Sequence, residues 1–588
     1  MKKFAALFTA AIMALSLCSC QGEILSKQTE SERFKEYLDD SFTEALSSDL
    51  FNLHFFLIHP ENYGIDVKDV PANVGSIDLE ELDNSAADLE EDYEELTSFD
   101  TAQLTESQQT TYDVLLWMLE TDREAVGMEY YQELCSPLLG IQSQLPSLLG
   151  EYAFREQQDV EDYLTLLTTV DDYFQDVLDF ETRKSELGLF MSDKTLDDML
   201  ANCEAFVAEP EENYLITGFE EHLDDLPELT EEQRADYTER NRQVVLEEVI
   251  PAYTLLMEGM EALRGTGVND GGLAGFEKGK EYYSYLVASS TGSEKSVEEI
   301  IEMTDEHLED SMKELIAIVY QSPESLEALN DFSFPLTDPV EVLEDLKARC
   351  ANDFPPLEEL TYEINYVHSS MEESSSPAFY LTPPVDADGA NANIIYINRS
   401  SLSGLYNTMA HEGYPGHMYQ RNYFLTTGSH PLRCILSFSG YTEGWATYVE
   451  GLSYEMAGLE DEALVRLLQL NDEISLAISA RADLGVNYEG WDSNTLRQFL
   501  AAYGFSDQET AESVFQAVVQ DPANYLSYYV GMMEFQQLRQ KAEEALGENF
   551  EATEFHRTVL DVGPAPFAVV EQAVDAYIAG GGEQQAAA

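Results

Sequence analysis

The chain has 588 residues, of which 113 are acidic and 30 are lysine or arginine, so its formal net charge at neutral pH is −83. This balance excludes nucleic-acid binding, because affinity for phosphate rests on lysine and arginine. Apolar residues make up 44% of the chain, which is enough for a packed core rather than a disordered chain. The charge predicts a solvated acidic surface, with attraction of cationic peptides or weak calcium binding as sharper alternatives.

The N-terminus predicts export and a lipid anchor. Lys2 and Lys3 precede an apolar run at 4–17, which is short for a membrane span and typical of a signal peptide. The residues around Cys20 resemble the bacterial lipobox, which implies cleavage before Cys20 and lipidation of its thiol. We therefore expect contact with the outer face of the cytoplasmic membrane through this lipid alone. An ordinary signal peptide is the alternative.

Helical periodicity dominates the first half of the chain. Segments 159–180 and 243–263 carry apolar residues at three- and four-residue spacing with acidic outer faces. The glycine-rich segment 265–275 is the best boundary candidate, although a loop within one domain fits equally well. The predicted limits are a signal peptide at 1–20, a spacer at 21–34, an N-terminal helical region at 35–265, a C-terminal region at 266–577 and a disordered tail at 578–588.

The pattern changes in the middle of the chain. Residues 361–367 and 393–398 alternate or are rich in β-branched and aromatic residues, which predicts strands of a small sheet. Residues 375–391, rich in Ser, Pro, Gly and Asp, predict a loop beside that sheet. Its Tyr380 is a candidate for lining a cleft or touching substrate, with a plain surface loop as the alternative. From 402 to about 577 the pattern is helical again.

The most informative segment is HEGYPGH at 411–417. Its two histidines are six residues apart, which on a regular helix would turn them about 120° away from each other. Pro415 cannot continue a regular helix, while Gly413 and Gly416 permit a widened turn. We predict that this distorted turn brings His417 back toward His411. The alternative is a pair of buried, hydrogen-bonded histidines at a helix break.

Carboxylates complete a zinc-ligand pattern. His411, His417 and Glu443, which lies in YTEGWATYVE, are the ligand types of a hydrolytic zinc site with an open fourth position. Glu412 is placed as the general base that deprotonates a water molecule. On the helix of Glu443, either Glu450 or Thr447 shares its face and would support a liganding histidine.

A zinc hydrolase also needs a donor for the developing oxyanion. Candidates are Tyr528 first and His556 second, and Arg539 is a candidate anchor for a substrate carboxylate. The structural alternatives are a core aromatic residue for Tyr528, a capping donor for His556 and a helix ion pair for Arg539.

The segments HEGYPGHMYQ and EGWATYVE resemble the signature of a large bacterial family called domain of unknown function 885, many of whose members are regarded as lipoproteins. Four weaker segments, LHFFLIHPENYGI, DVEDYLTLL, GKEYYSYL and FHRTVLDVGPAPF, extend the resemblance over about 35–575. The family is similar to zincin metallopeptidases whose third ligand is a glutamate on the next helix. The resemblance implies His411, His417 and Glu443 as ligands and Glu412 as base, but no substrate.

These observations predict a mostly α-helical, zincin-like protein with a small sheet beside the metal-site helix and an N-terminal helical region covering the cleft. The main functional hypothesis is a zinc-dependent peptidase at the cell surface. A zinc hydrolase of another amide or ester, such as a cell-wall component, is one alternative, because zinc chemistry alone does not define the substrate. A non-catalytic lipoprotein that binds a metal or ligand is the other.

Overall fold

The computed structural model describes residues 28–582, apart from 368–371, 373–375, 388–392 and 403. The predicted signal peptide with Cys20, the first part of the spacer and the end of the tail lie outside the described residues. The described part is mainly helical with one small sheet, which confirms the predicted fold class. Within it, each helix is too short or too polar to cross a membrane.

The N-terminal region consists of amphipathic helices. Thr29 and Glu32 form a capping box that starts the first helix inside the predicted spacer. The predicted helix at 159–180 is two helices, because the chain breaks at Thr168 and Thr169. The helices are α1 (Glu30–Leu46), α2 (Leu50–Phe56), α3 (Leu79–Thr97), α4 (Glu106–Glu124), α5 (Ile141–Gly150), α6 (Gln157–Leu167), α7 (Val170–Leu187), α8 (Asp193–Val207), α9 (Tyr214–Thr217), α10 (Phe219–His222), α11 (Glu231–Val244) and α12 (Ile250–Ala262), with a π-turn at Val245–Val249.

Four helices lead from this region to the sheet. The capping box of Ser296 and Glu299 begins the longest of them. They are α13 (Gly279–Thr291), α14 (Val297–Gln321), α15 (Pro323–Asn330) and α16 (Pro339–Cys350).

The sheet has three strands in the order β1-β3-β2. The two predicted strands are β1 (Tyr362–Tyr366) and β3 (Asn393–Ile397), which pair in parallel. The predicted loop at 375–391 is wrong in part, because it contains β2 (Ala378–Leu381), antiparallel to β3. Backbone pairing with β3 and the burial of alternate side chains stabilise this short strand despite its polar surroundings.

The remaining helices follow the sheet along the chain, and the first of them, which carries the start of the HEGYPGH segment, packs against β2. They are α17 (Leu405–Glu412), α18 (His417–Thr426), α19 (Ser439–Met456), α20 (Glu462–Leu484), α21 (Ser493–Ala502), α22 (Gln508–Gln520), α23 (Asn524–Leu546), α24 (Ala552–Val562) and α25 (Phe567–Ala579), with a π-turn at Gly485–Glu489 after α20.

Two large hydrophobic cores hold these helices together. One contains residues from Phe34 to Met260 together with two residues just before α19, and the other runs mainly from Leu273 to Tyr577. Helix α4 contributes to both, since Leu119 lies in the first core and Val114 in the second. The two cores therefore meet along α4.

Candidate metal centre

The turn between α17 and α18 positions the two histidines of the motif. A Cβ atom on Gly416 would lie 1.8 Å from the carbonyl oxygen of His411, so this close approach requires glycine. The Trp445 indole N–H donates to the carbonyl of Pro415 at 2.9 Å, which ties the turn to α19. As a result, the Nε2 atoms of His411 and His417 lie 3.2 Å apart. This is the arrangement that the predicted distorted turn requires.

Helices α19 and α23 cross in contact beside the turn. A Cβ atom on Gly444 would lie 2.4 Å from the Cα atom of Gly531, and one on Gly531 would lie 2.0 Å from the Gly440 carbonyl oxygen. Only glycine at these positions lets the two backbones approach so closely. The crossing brings Glu443, which precedes Gly444, and Tyr528, which lies one turn before Gly531, close to the histidines.

His411, His417 and Glu443 form a compact group that we call the His–Glu cluster. The Glu443 Oε2 atom lies 3.5 Å from His411 Nε2 and 3.6 Å from His417 Nε2. Tetrahedral zinc with bonds of about 2.0–2.1 Å separates neighbouring donors by about 3.4 Å. The three donor atoms therefore fit a single zinc ion, and a set of three protein ligands leaves one coordination position for another group.

A second carboxylate orients one of the ligands. The His411 Nδ1–H donates to Glu450 Oε2 at 3.1 Å. An ionised carboxylate only accepts hydrogen bonds, so Nδ1 carries a proton and Nε2 is the atom that faces the cluster and would bind a metal ion. The hydroxyl of Thr447 is buried without a hydrogen-bond partner among the described residues. Of the two candidates on this helix face, Glu450 therefore contacts the histidine and Thr447 does not.

The electrostatics of the His–Glu cluster favour a cation. Burial alone would lower the pKa of His411, but hydrogen bonds with Glu443 and Glu450 and the charge of Glu412 raise it well above its usual range. Burial alone would raise the pKa of Glu443, but the charge of His417 and contacts with both imidazoles hold it well below its usual range. The surrounding carboxylates therefore stabilise positive charge, whether it is carried by a proton or by a metal ion.

Glu412 lies at the edge of the cluster, held by strand β2. Its Oε2 atom accepts the backbone N–H of Tyr380 at 2.8 Å, and its Oε1 atom lies 4.0 Å from His411 Nε2. The ring of Tyr380 is buried, and its hydroxyl donates to Asn393 at 2.6 Å. Tyr380 thus contacts the site through its backbone instead of its side chain, because alternate residues of the strand face the core.

Tyr528 is the oxyanion-donor candidate that the fold brings to the cluster. Its ring lies nearly parallel to that of His411, with the ring centres 6.4 Å apart. Tyr528 is half-buried on α23. The close crossing of α19 and α23 at Gly444 and Gly531 fixes the position of this helix relative to the cluster.

His556 and Arg539 belong to a different network. The His556 Nδ1–H donates to the carbonyl of Asp353 at 2.6 Å, and its Nε2 atom accepts from the hydroxyl of Tyr448 at 2.9 Å. Arg539 donates to the same hydroxyl at 2.9 Å and to Glu543 at 2.8 Å. Burial lowers the pKa of His556 to about 3, so its ring is neutral. Arg539 thus forms the ion pair within its own helix that was considered as its alternative. Tyr448, the shared partner, lies about 140° around α19 from Glu443, so this network is separate from the His–Glu cluster.

A cavity of about 430 Å³ reaches the His–Glu cluster at Glu443. Its walls come from α3, α4 and residues 128–139 on one side, and from α13, residues 436–439 and residues 520–527 on the other. No sequence motif marks these lining residues, since they come together only through packing of the two halves of the chain.

A second set of metal-ligand types lies in the N-terminal region. Ligand atoms of His54, Asp159 and Asp162, which we call the His54 group, lie within 4.8 Å of one another. Asp159 accepts the backbone N–H of Arg155 at 2.7 Å and that of the next residue at 2.9 Å. The Arg155 guanidinium also donates to the His54 carbonyl at 3.2 Å. Asp159 therefore caps α6, and the group lies beside the positive charge of Arg155.

The fold and the site together define a mostly helical protein with a candidate centre of two histidines and one glutamate. The chain belongs to the family described as "Bacterial protein of unknown function (DUF885)", whose profile matches residues 63–574. This match confirms the resemblance carried by the two motif segments. Among curated proteins no match is found.

Two solved structures share the fold. "The putative lipoprotein from Colwellia psychrerythraea" aligns with a TM-score of 0.82 and 19% identity over 93% of this chain and 100% of the other. "A putative lipoprotein of unknown function from Shewanella oneidensis" aligns with a TM-score of 0.63 and 13% identity over 93% of this chain and 99% of the other. At these identities the likeness establishes the architecture alone.

Proposed function

We propose that this protein is a zinc-dependent peptidase. The observation that carries the proposal is the convergence of His411, His417 and Glu443 at donor spacings suited to one zinc ion. A purely structural zinc site closes its coordination shell with four protein ligands. The three-ligand set, with Glu412 directly beside it, favours catalysis over metal storage.

Each residue around the cluster has a separate role in the proposed hydrolysis of an amide bond. Zinc, when bound, supplies Lewis-acid polarisation of the scissile carbonyl and lowers the pKa of a water molecule. Glu412 would take a proton from a water molecule at Oε1, while Oε2 stays anchored by the Tyr380 N–H, and would then pass the proton to the leaving amine. Tyr528 donates a hydrogen bond to the oxyanion from α23. Glu450 keeps the lone pair of His411 turned toward the cluster.

A peptide substrate suits the position of β2. This strand is at the edge of the sheet, and its backbone contacts the proposed base. An extended peptide that pairs with such an edge would place its backbone carbonyls alongside Glu412. We also propose attachment to the outer face of the cytoplasmic membrane through a lipid on Cys20, supported by the sequence of the N-terminus.

The decisive experiment is digestion of a mixed peptide library by purified protein loaded with zinc, with and without a chelator. Glu412→Gln serves as the matched variant, because it keeps the size of the side chain and removes the base. We expect cleavage by the wild type, loss of cleavage with chelator and a decrease of about 10³-fold in kcat for Glu412→Gln at unchanged zinc content. A protein that holds zinc but cleaves no peptide would contradict the proposal. Cleavage of an ester or cell-wall amide alone would instead favour another hydrolase.

A further inference from the structure

The cavity beside the His–Glu cluster combines apolar walls with unbalanced negative charge. Trp117, Tyr285 and Phe438 are among its apolar lining residues. Besides Glu443, it is lined by five carboxylates: Asp92, Asp122, Glu129, Glu133 and Asp521. Among the described residues that line it, none is lysine, arginine or histidine. A ligand that fills this space therefore meets negative charge in a poorly solvated environment.

Three of these carboxylates already have partners. Glu133 forms an ion pair at 2.8 Å with Lys184, a fully buried residue outside the lining. Asp521 accepts the hydroxyl of Ser136 at 2.6 Å. Glu129 accepts the backbone N–H of Gly127 at 2.6 Å. Their charges are compensated or at least hydrogen-bonded within the protein.

Asp92 has neither form of compensation. It is only 3% exposed and lines the cavity from α3, yet no hydrogen bond or ion pair to it is found among the described residues. Burial, and then the charges of Glu44, Glu95 and other acidic neighbours, raise its pKa to about 7. A buried carboxylate without a partner is costly, and a bound cation would relieve that cost.

Asp122, near the end of α4, is a second carboxylate of this cavity that has no ion pair among the described residues. Among the described residues, the one hydrogen bond to its carboxylate comes from the hydroxyl of Tyr285 at 3.3 Å, and no cation pairs with it. Burial raises its pKa to about 6. Asp92 and Asp122 thus present two uncompensated carboxylates to a cavity that reaches a proposed zinc ligand.

We propose that this cavity binds a positively charged group of the peptide substrate, with Asp92 and Asp122 as its counter-ions. The group is an ammonium or guanidinium, carried either by a lysine or arginine side chain or by the terminal amine of the peptide. Apolar walls such as Trp117 and Phe438 pack against the aliphatic stem of such a side chain, which matches the amphipathic nature of lysine and arginine. This inference rests on the proposed peptidase function and specifies its substrate class.

The test compares matched peptides that differ only in charge. Each peptide carries lysine or its neutral analogue norleucine at one position, and each is made with a free or acetylated N-terminus. We expect kcat/KM to be about tenfold higher for one charged form, because a desolvated ion pair contributes strongly to binding. Loss of preference on norleucine substitution identifies the side chain as the cation, and loss on acetylation identifies the terminal amine.

Two variants locate the preference in the cavity. Asp92→Asn and Asp122→Asn should each reduce the preference to within about threefold while retaining hydrolysis of the neutral peptide. Glu91→Gln and Glu120→Gln are matched controls, because these carboxylates are exposed on the same helices and do not line the cavity. The controls should keep the preference of the wild type.

A binding measurement separates this inference from the proposed function. The Glu412→Gln protein is titrated with fluorescent forms of the same peptides, so that no turnover is needed. Charge-dependent binding without hydrolysis by the wild type would support the cationic subsite and contradict the peptidase. Hydrolysis by the wild type with no more than about threefold preference for any charged form would overturn the subsite and leave the peptidase standing. An equal preference in Asp92→Asn, Asp122→Asn and the wild type would also overturn it.

Discussion

The His–Glu cluster and the His54 group contain similar ligand types, but their hydrogen bonds and charged neighbours differ. In the cluster, Glu450 occupies the far nitrogen of His411, so three donor atoms face one another at 3.2–3.6 Å. In the His54 group, Asp159 accepts two backbone N–H groups. The Arg155 guanidinium also lies beside this group and donates to the His54 carbonyl. We therefore expect a metal ion at the His–Glu cluster, where the donor spacing suits zinc, and not at the His54 group, which already has a cation beside it.

The largest expected effect is loss of zinc from a variant of the cluster. His417→Ala should reduce the zinc content of the purified protein from about one equivalent to nearly none, because two remaining ligands hold zinc poorly. His54→Ala is the matched control and should retain the metal. Elemental analysis measures both. If His54→Ala lost the zinc and His417→Ala kept it, the comparison between the two groups would be reversed.

Tyr528→Phe tests the cluster's chemistry while leaving its ligands intact. We expect kcat to fall by about 10²-fold, because the variant loses one hydrogen bond to the oxyanion. Zinc content and the thermal unfolding midpoint should stay unchanged. Tyr529→Phe, which removes a hydroxyl bonded to His307 on another face of α23, is the control. A decrease of less than about threefold in steady-state assays would exclude Tyr528 as the donor.

Glu450→Gln tests whether the hydrogen bond from His411 to Glu450 orients this histidine for metal binding. Loss of the carboxylate that accepts from His411 should weaken zinc affinity by about 10–100-fold. Competition with a chromogenic chelator measures this change. Glu455→Gln, an exposed position on the same helix, should bind zinc like the wild type. Equal affinities of the two variants would show that Glu450 does not support the ligand.

The smallest effect is expected in the His54 group. Asp159→Ala should lower the free energy of unfolding by about 1 kcal/mol, because Asp159 caps the start of α6. Zinc content and turnover should not change. Denaturant unfolding together with metal analysis tests this prediction. Loss of zinc on this substitution would give the group a metal-binding role that the capping geometry does not explain.

Local signals in the sequence were sufficient for some features. The capping box at Ser296 and the strands near 362–366 and 393–397 follow from residue types within a few positions. Strand β2 was missed because it has four residues between polar, Pro-rich flanks and depends on pairing with β3. The contact between Arg539 and Tyr448 was also not predictable, because the two residues lie 91 positions apart along the chain.

The sequence by itself determined the two histidines, the break between them and the adjacent candidate base Glu412, because these lie within one short segment around Pro415 and Gly416. It marked Glu443 through a second motif. Tertiary structure decided the rest. It selected Glu450 over Thr447, held Glu412 through the backbone of Tyr380 and built the acidic cavity from both halves of the chain. These features depend on helix crossings and strand pairing between distant segments, and residue spacing along the chain does not encode such contacts directly.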